Sequence, residues 1–240
     1  RFGYLANNHL VGLAILRRDA ETAINLICGP APLAPDYQAE ARAAFAAGDY
    51  AAARDAFPHG YRTERVILDS LANGEHAEQA LDAVDPDVLG FYISAFQSAV
   101  FNAVLDKRIL SGTLGTLLPG DVTLDPHGRH PTDIDEVSLA DDALLARYAA
   151  MEFSASGPMW GNTMKRASGV VDRTEVETLA DFGLRPQDLP APDETDLPMT
   201  RGTRRPLRCA LKDTEVEGGA DEHGPYIRVA FDLSGAYPVP

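Results

Sequence analysis

Five basic side chains lie close together near the end of this 240-residue sequence. They are Arg201, Arg204, Arg205, Arg208 and Lys212, and no acidic residue lies between the first and the last of them. Guanidinium groups bind phosphate through paired hydrogen bonds, so this basic segment (residues 201–212) suits contact with a nucleic-acid backbone. Charged residues also protect exposed strand edges, so a structural role for the basic segment remains open.

The rest of the chain is acidic, with a formal net charge of −15. Residues 169–200, directly before the basic segment, hold eight acidic and two basic side chains. Taken alone, the net charge argues against nucleic-acid binding, because phosphate contacts require a positive surface. The distribution of charge matters more than the sum, and it places one positive segment on a negative body.

The histidines and cysteines do not form a metal-binding pattern. His127 and His130 are close in a loop rich in Pro, Gly and Asp, but no second pair of ligands lies near them. Cys28 and Cys209 are far apart, which favours two reduced, buried thiols over a disulfide. We therefore expect no metal site.

The first half of the chain is predicted to be helical. Helices are expected over residues 10–27, over 37–56 with a break at Gly48-Asp49, and over 63–72. The strongest helical pattern follows Asp85-Pro86, where apolar residues recur every three or four positions on one core-facing side: Leu89, Ile93, Phe96, Val100 and Val104. No apolar run reaches the roughly 18 residues that span a bilayer, so no membrane partner is expected.

The second half of the chain has a different pattern. Turns and short strands are predicted over residues 110–140, a tight turn at Ser156-Gly157-Pro158, and helices over 141–150 and 175–182. Prolines among acids over 186–198 predict a linker. Alternating apolar residues then predict two strands joined by the acidic loop Gly218–Gly224. An isolated hairpin is marginal in water, so we expect these strands to complete a larger sheet.

Six segments, in order along the chain, resemble the TruD family of tRNA pseudouridine synthases. The central one reads SAFQSAVFN and matches the AFQSxxFN helix of that family. The six are Arg1-Phe2-Gly3 with Asn8-His9 and Gly12, Ser94–Asn102, Gly120-Asp121-Val122, Gly157–Gly161 with Met164 and Gly169, Gly202–Arg208, and Phe231–Tyr237. Each segment alone is weak, but chance matches need not keep this order, and together the six cover nearly the whole chain.

The resemblance implies an α+β fold with two parts. A mostly helical, family-specific insertion domain would occupy residues 5–198. Residues 1–4 and 199–240 would belong to the mixed sheet of the pseudouridine synthase catalytic domain. The change from helical to strand-like periodicity at the proline-rich linker, which the residues alone predict, agrees with this division.

The resemblance also implies an activity, the isomerisation of uridine-13 in tRNA to pseudouridine without metal or cofactor. The catalytic aspartate of the family lies in a Gly-x-Lys-Asp loop that precedes the Arg1-Phe2-Gly3 segment. We therefore expect this chain to be a C-terminal fragment without its nucleophile, and to be inactive alone. Lys212-Asp213 is a false match to that loop, since it follows the GTRRPLR segment, where the family has no catalytic residue.

Seven residues are candidates for contact with the RNA. By resemblance, Tyr237 would stack on the uridine ring, and Arg1 and Phe2 would border the active site, although a hinge role for these two is equally open. Arg204 and Arg205 would bind phosphate. Gln97 and Asn102 lie beside the apolar face of their helix, where they could face RNA or cap a neighbouring backbone group. The family sequence ends differently after Tyr237, where Pro238-Val239-Pro240 replaces the expected strand.

Two other interpretations remain open from the sequence. The first is a non-catalytic RNA-binding relative that has lost the aspartate, and the second is an acidic helical interaction protein. The family interpretation is the best supported of the three, and it predicts a cytoplasmic monomer whose partner is tRNA.

Overall fold

A computed structural model of the chain describes residues 3–191 and 197–233. The described residues form two compact units. The first, here called the helical unit, draws on Arg1–Asn102, Met159–Met164 and Leu179–Thr203. The second, the sheet unit, draws on Ala103–Pro158, Lys165–Thr178 and Arg204–Pro240. The predicted combination of helices with sheet is confirmed.

Two short helices, α1 (Asn8–Leu16) and α2 (Ala20–Cys28), replace the single helix predicted over residues 10–27. The break falls at Arg18, whose φ of 57° lies in the left-handed region, through which a right-handed helix does not continue. Asp19 then begins α2, because its side chain accepts a 3.0 Å hydrogen bond from the backbone N–H three residues later. The single-helix prediction was wrong because the apolar pattern continues across the break.

Four further helices follow: α3 (Ala39–Ala46), α4 (Tyr50–Ala56), α5 (Arg62–Ala72) and α6 (Ala77–Asp82). The predicted break at Gly48-Asp49 is confirmed, since the Asp49 side chain accepts a hydrogen bond from a backbone N–H of the first turn of α4. Helix α6 was not predicted. The core of the helical unit is apolar, with Phe57, Ile67 and Leu68 at most 1% exposed.

The long helix α7 (Pro86–Leu110) confirms the strongest helical prediction. All five residues of the predicted apolar face are at most 7% exposed. By length and apolar composition α7 could cross a membrane, which the sequence pattern had not indicated. However, 44% of its most apolar window is buried inside the protein, and core helices meet the same criteria.

Four short strands pair in the order β2-β1-β3-β4. Their bounds are Val122–Leu124 (β1), Thr132–Asp133 (β2), Ser154–Met159 (β3) and Thr203–Pro206 (β4). Strand β1 pairs antiparallel with both β2 and β3. The tight turn predicted at residues 156–158 was wrong, because these residues lie in β3, every residue of which is buried.

Two helices and three 3₁₀ turns complete the described residues before the hairpin. Helix α8 (Asp142–Ala149) was predicted, and α9 (Gly169–Asp181) begins six residues earlier than expected. The 3₁₀ turns are Ser138–Ala140, Pro186–Asp188 and Pro198–Arg201.

The predicted hairpin is confirmed as β5 (Leu211–Asp221) and β6 (Gly224–Leu233), which pair antiparallel. Its turn is tighter than predicted, because residues 218–221 belong to β5 and only Glu222-His223 join the strands. Val216 is 70% exposed and Ile227 78% exposed. Both strands are therefore open to solvent within the described chain.

Candidate nucleic-acid interface

Three of the seven candidate RNA-contacting residues, Arg1, Phe2 and Tyr237, lie outside the described residues. Their roles stay predictions. The other four lie in α7 and β4.

Gln97 is fully buried rather than on an RNA-facing surface, at 1% exposed. Its side-chain N–H groups donate to two backbone carbonyls, those of Trp160 and Met199, each at 2.7 Å. All three residues belong to the helical unit, so Gln97 ties α7 to two segments that are distant in sequence. The alternative of a cap on neighbouring backbone groups, left open by the sequence, is the one that this geometry matches.

Asn102 is exposed on α7, and Arg205 is half-buried on β4. Side chains alternate across a strand, so Arg205 and Arg204 point to opposite faces of β4. The basic segment therefore does not form one continuous positive surface.

Arg204 is buried, with only 6% of its surface exposed, contrary to the phosphate contact expected for it. It forms a two-pronged ion pair with Glu175, with Nη2–Oε1 at 2.6 Å and Nη1–Oε2 at 3.1 Å. It also donates to the Ser156 Oγ and carbonyl oxygens at 2.8 and 2.7 Å, and to the Lys165 carbonyl at 3.2 Å. A guanidinium held in this way links β4 to β3 and α9.

Burial raises the pKa of the Glu175 carboxyl above its ordinary value, although the hydrogen bonds and the charge of Arg204 act in the opposite direction. The cost of burying the Glu175 charge thus offsets much of its attraction to Arg204, and the pair depends on its two-pronged geometry and on the further hydrogen bonds of Arg204. Glu175 was missed as a partner. Its signal was its position four residues after Val171 on the buried face of α9.

A second buried ion pair lies in the same unit. Arg108 donates to both carboxylate oxygens of Asp121, at 3.2 and 3.1 Å, and to the Thr116 carbonyl at 3.1 Å. Asp121 also accepts the backbone N–H of Leu118 at 2.8 Å. The Gly-Asp-Val segment is thus a folding determinant, since its aspartate fixes the loop before β1 to the end of α7.

The glycines of two resembling segments meet in the structure. A Cβ atom added to Gly161 would clash with the backbone of Gly202, and one added to Gly202 would clash with that of Gly161. The backbone at Gly202 also has a φ of 71°, which favours glycine. These two positions therefore require glycine for close packing within the helical unit.

The C-terminal part of the basic segment, residues 208–212, lines a cavity of about 250 Å³ in the sheet unit. Arg208 and Lys212 line it, together with His127. The Arg208 guanidinium lies 4.1 Å from the centre of the Tyr148 ring and donates to the Tyr148 carbonyl at 3.2 Å. This basic pocket was not predicted as a unit, because His127 and the two cations, Arg208 and Lys212, come from segments about 80 residues apart in sequence.

Within residues 3–191 and 197–233, no group of three or more His, Cys, Asp or Glu side chains is arranged to hold a metal ion. His130 lies 3.9 Å from the Asp125 carboxylate, and His127 lies in the basic pocket. Cys28 and Cys209 are free thiols, the first buried as predicted and the second only half-buried.

Asp213, set aside in the sequence as a false match to the catalytic loop, is exposed near the start of β5. Its φ of 47° falls where the register of the hairpin shifts between Lys212 and Glu215. It therefore lies at a β-bulge, which re-aims the neighbouring side chains.

Comparison with known proteins gives a family for this chain. The sequence model of tRNA pseudouridine synthase D (TruD) matches residues 1–237. A tRNA pseudouridine synthase D from Geotalea daltonii is 36% identical over 244 residues, which is 99% of this chain and 57% of that protein. A probable tRNA pseudouridine synthase D from Pyrobaculum neutrophilum is 36% identical over 92% of this chain and 50% of its own length.

The fold agrees with the sequence match. The crystal structure of a protein from Methanosarcina mazei assigned as tRNA pseudouridine synthase D superposes with a TM-score of 0.82 at 21% identity, covering 98% of this chain and 56% of that one. The chain thus spans about half the length of the relatives it matches. The match over nearly all of its residues shows that the chain belongs to the TruD family of tRNA pseudouridine synthases.

Proposed function

We propose that this chain is part of a tRNA pseudouridine synthase that isomerises uridine-13 of tRNA. The observation that carries the proposal is the family match over residues 1–237, together with the shared fold. The reaction breaks an N-glycosidic bond, turns the base and forms a C–C bond. It requires an ionised carboxylate at the sugar and a base held out of its stack.

The nucleophilic aspartate is proposed to lie outside this chain. The 240 residues contain no Gly-x-Lys-Asp loop, and Lys212-Asp213 lies at an exposed bulge instead. In this proposal the described residues supply RNA contacts and the framework of the site, and the chain alone turns over no uridine. No metal or cofactor takes part.

The division of the chain is also a proposal. Residues 5–198 would form the insertion domain, and 1–4 with 199–240 would complete the catalytic sheet. The apolar side chains exposed on the hairpin support this, because three or more strands or a packed face are needed for independent stability.

Four residues carry the proposed RNA contacts of this framework. Arg1, Phe2 and Tyr237 would border the uridine, and Arg205 would contact phosphate. Asn102, exposed on α7, is a further candidate. The enzyme is proposed to act as a cytoplasmic monomer.

A direct test measures release of tritium from tRNA labelled at C5 of uridine, because the new C–C bond forms at that carbon and displaces its hydrogen. We expect release by the longer polypeptide encoded around this chain, none by the 240 residues alone, and none with tRNA in which uridine-13 is replaced by cytidine. Turnover by the 240 residues alone would contradict the placement of the nucleophile.

The alternative is a non-catalytic RNA-binding relative. It predicts tight, salt-dependent tRNA binding by the longer polypeptide with no tritium release. Reading the coding region before the codon of Arg1 for a Gly-x-Lys-Asp loop separates the two at once.

A further inference from the structure

The basic pocket has a composition unlike that of the rest of the chain. Its nine lining residues come from the loop after β1, from residues 151–154 where the chain enters β3, and from residues 208–212, which lead into and begin β5. They are Pro126, His127, Met151, Phe153, Ser154, Arg208, Cys209, Ala210 and Lys212. Among these described lining residues none is acidic, although the whole sequence carries a net charge of −15. The pocket is therefore positive on a negative body, as an anion site requires.

Arg208 is held in place before any ligand arrives. Its guanidinium stacks on the Tyr148 ring and donates to the Tyr148 carbonyl, and its backbone N–H donates to the Ser154 hydroxyl at 3.1 Å. A pre-positioned guanidinium loses little conformational entropy on binding a phosphate. Lys212, exposed at the start of β5, adds a mobile cation on a flexible stem.

The loop that carries His127 is also ordered by local bonds. The Asp125 side chain accepts the backbone N–H groups of His127 and Arg129 at 2.9 and 2.8 Å. His127, in this turn, lines the pocket together with Pro126.

The remaining wall of the pocket is apolar. Phe153 and Met151 lie there, and Phe153 is itself packed 5.6 Å from the Tyr148 ring, centre to centre. An aromatic or thioether side chain gives a nucleobase a surface on which to stack, and such stacking is independent of base identity. Cations beside an apolar wall suit a ligand with one charged end and one flat, apolar end.

We propose that the basic pocket binds one nucleotide of the RNA substrate, with its phosphate on Arg208 and Lys212 and its base against Phe153. The volume of about 250 Å³ lies just below the roughly 300–1,000 Å³ of drug-sized ligand pockets, which suits a single nucleotide rather than a longer segment. The residues that line this pocket are different from those proposed to border the uridine, Arg1, Phe2 and Tyr237. This assignment rests on the proposed function, because the RNA that supplies the nucleotide is the tRNA substrate.

The first test is the salt dependence of tRNA binding by the full polypeptide. Lys212→Glu should weaken binding at least about tenfold near 100 mM salt, and Lys212→Ala should lower the slope of log K against log salt by about 0.9, the loss of one phosphate contact. The matched control is Arg173→Glu, which makes the same change of charge at an exposed position of α9.

The outcomes separate this site from the proposed function. If the full polypeptide without substitutions neither binds nor modifies tRNA, the proposed function is wrong and the pocket assignment is wrong with it. If it binds and modifies tRNA but Lys212→Glu behaves like Arg173→Glu, the pocket assignment alone is overturned.

The second test uses Cys209 as a reporter, because it lines the pocket and is half-buried. Bound tRNA should slow alkylation of Cys209 at least about fivefold, read by peptide mass spectrometry, on the order of 1 kcal/mol. Cys28 is the internal control, since burial raises the pKa of its thiol and keeps it unreactive. Uridine 5′-monophosphate should protect Cys209 better than inorganic phosphate at equal concentration. Equal protection by the two would overturn the base contact at Phe153, and no protection by tRNA would overturn the site.

Discussion

Both units contain a buried arginine, but the groups that accept its hydrogen bonds differ between the two. In the helical unit, Arg42 is 4% exposed and donates to three backbone carbonyls, those of Tyr37, Ile27 and Gly29, at 2.6–3.2 Å. In the sheet unit, the buried Arg204 meets the Glu175 carboxylate.

The different hydrogen-bond acceptors indicate different structural roles for the arginines. Arg42 satisfies carbonyls at the end of α2, where four backbone acceptors have no partner within the helix. Arg204 and Arg108 join elements through acids, so removing either partner leaves a buried charge behind. The sheet unit should therefore be the more sensitive to single changes and to pH.

The largest effect is expected from Arg204→Met. Removing one partner of a buried ion pair typically lowers the free energy of unfolding by about 3–5 kcal/mol, because Glu175 remains buried without compensation. Without Arg204 the pKa of Glu175 rises further, so the variant should lose stability as pH rises from about 4.3 through that pKa, and recover on acidification. Urea unfolding at several pH values measures both.

The control for this change is the double variant Arg204→Met with Glu175→Leu. Replacing both charges by apolar groups is expected to restore most of the stability and to remove the pH dependence. A double variant as unstable as Arg204→Met would show that the ion pair is not the source of the loss.

A smaller loss, about 2–3 kcal/mol, is expected from Arg42→Met. Three carbonyls would lose a donor, and the partly buried Glu64 carboxyl would lose the nearby positive charge that favours its ionised form. Since the carbonyls do not titrate and Glu64 makes no direct ion pair with Arg42 comparable to that of Glu175 with Arg204, the loss should change less with pH than that of Arg204→Met. Thermal unfolding of the two variants side by side between pH 5 and 8 measures the contrast, and an equal pH dependence would contradict it.

Gln97→Leu should lower the free energy of unfolding by about 1–3 kcal/mol, because the carbonyls of Trp160 and Met199 lose their donor. Asn102→Leu, the same kind of change at an exposed position of α7, should alter it by less than about 0.5 kcal/mol. If Asn102 contacts RNA, Asn102→Leu should weaken tRNA binding more than Gln97→Leu does. Equal stability of the two variants would remove the bridging role of Gln97.

The smallest effect is expected at Glu64, in α5 of the helical unit. Burial raises the pKa of its carboxyl, which means that the charged form is disfavoured in the folded protein. Glu64→Gln should therefore raise the stability at pH 7 by less than about 1 kcal/mol, with the gain vanishing below about pH 4, where the acid is protonated in both states. Glu75→Gln, at an exposed position between α5 and α6, should show no such trend in the same urea titrations.

Most of the helices and the hairpin could be predicted from the sequence because they depend on local signals, although α6 was missed. The apolar face of α7 and the aspartate cap after Gly48 are written in neighbouring residues. The break at Arg18 and the strand at residues 154–159 could not be predicted in this way. One depends on a single backbone angle, and the other on pairing with β1, about 30 residues earlier.

The candidate site followed the same division. The family and its order of segments could be recognised from the residues. Which arginines of the basic segment are buried and which are exposed could not be predicted. Whether an arginine faces a carboxylate or solvent is decided by the strand's two faces and by which helix covers one of them. For Arg204 the deciding residue, Glu175, lies 29 positions away.

The place of β4 in the sheet has a consequence for synthesis on the ribosome. Chains emerge from the N-terminus, so β3 and α9 leave the exit tunnel well before Arg204, which follows Ser156 by 48 residues. Until then Glu175 has no guanidinium partner from β4, and β3 lacks its outer neighbour. The six helices before α7 pack chiefly against one another and the start of α7, so much of their core can form before β4 emerges. Co-translational folding should therefore proceed in two stages, with the sheet closing only after β4 (Thr203–Pro206) has emerged.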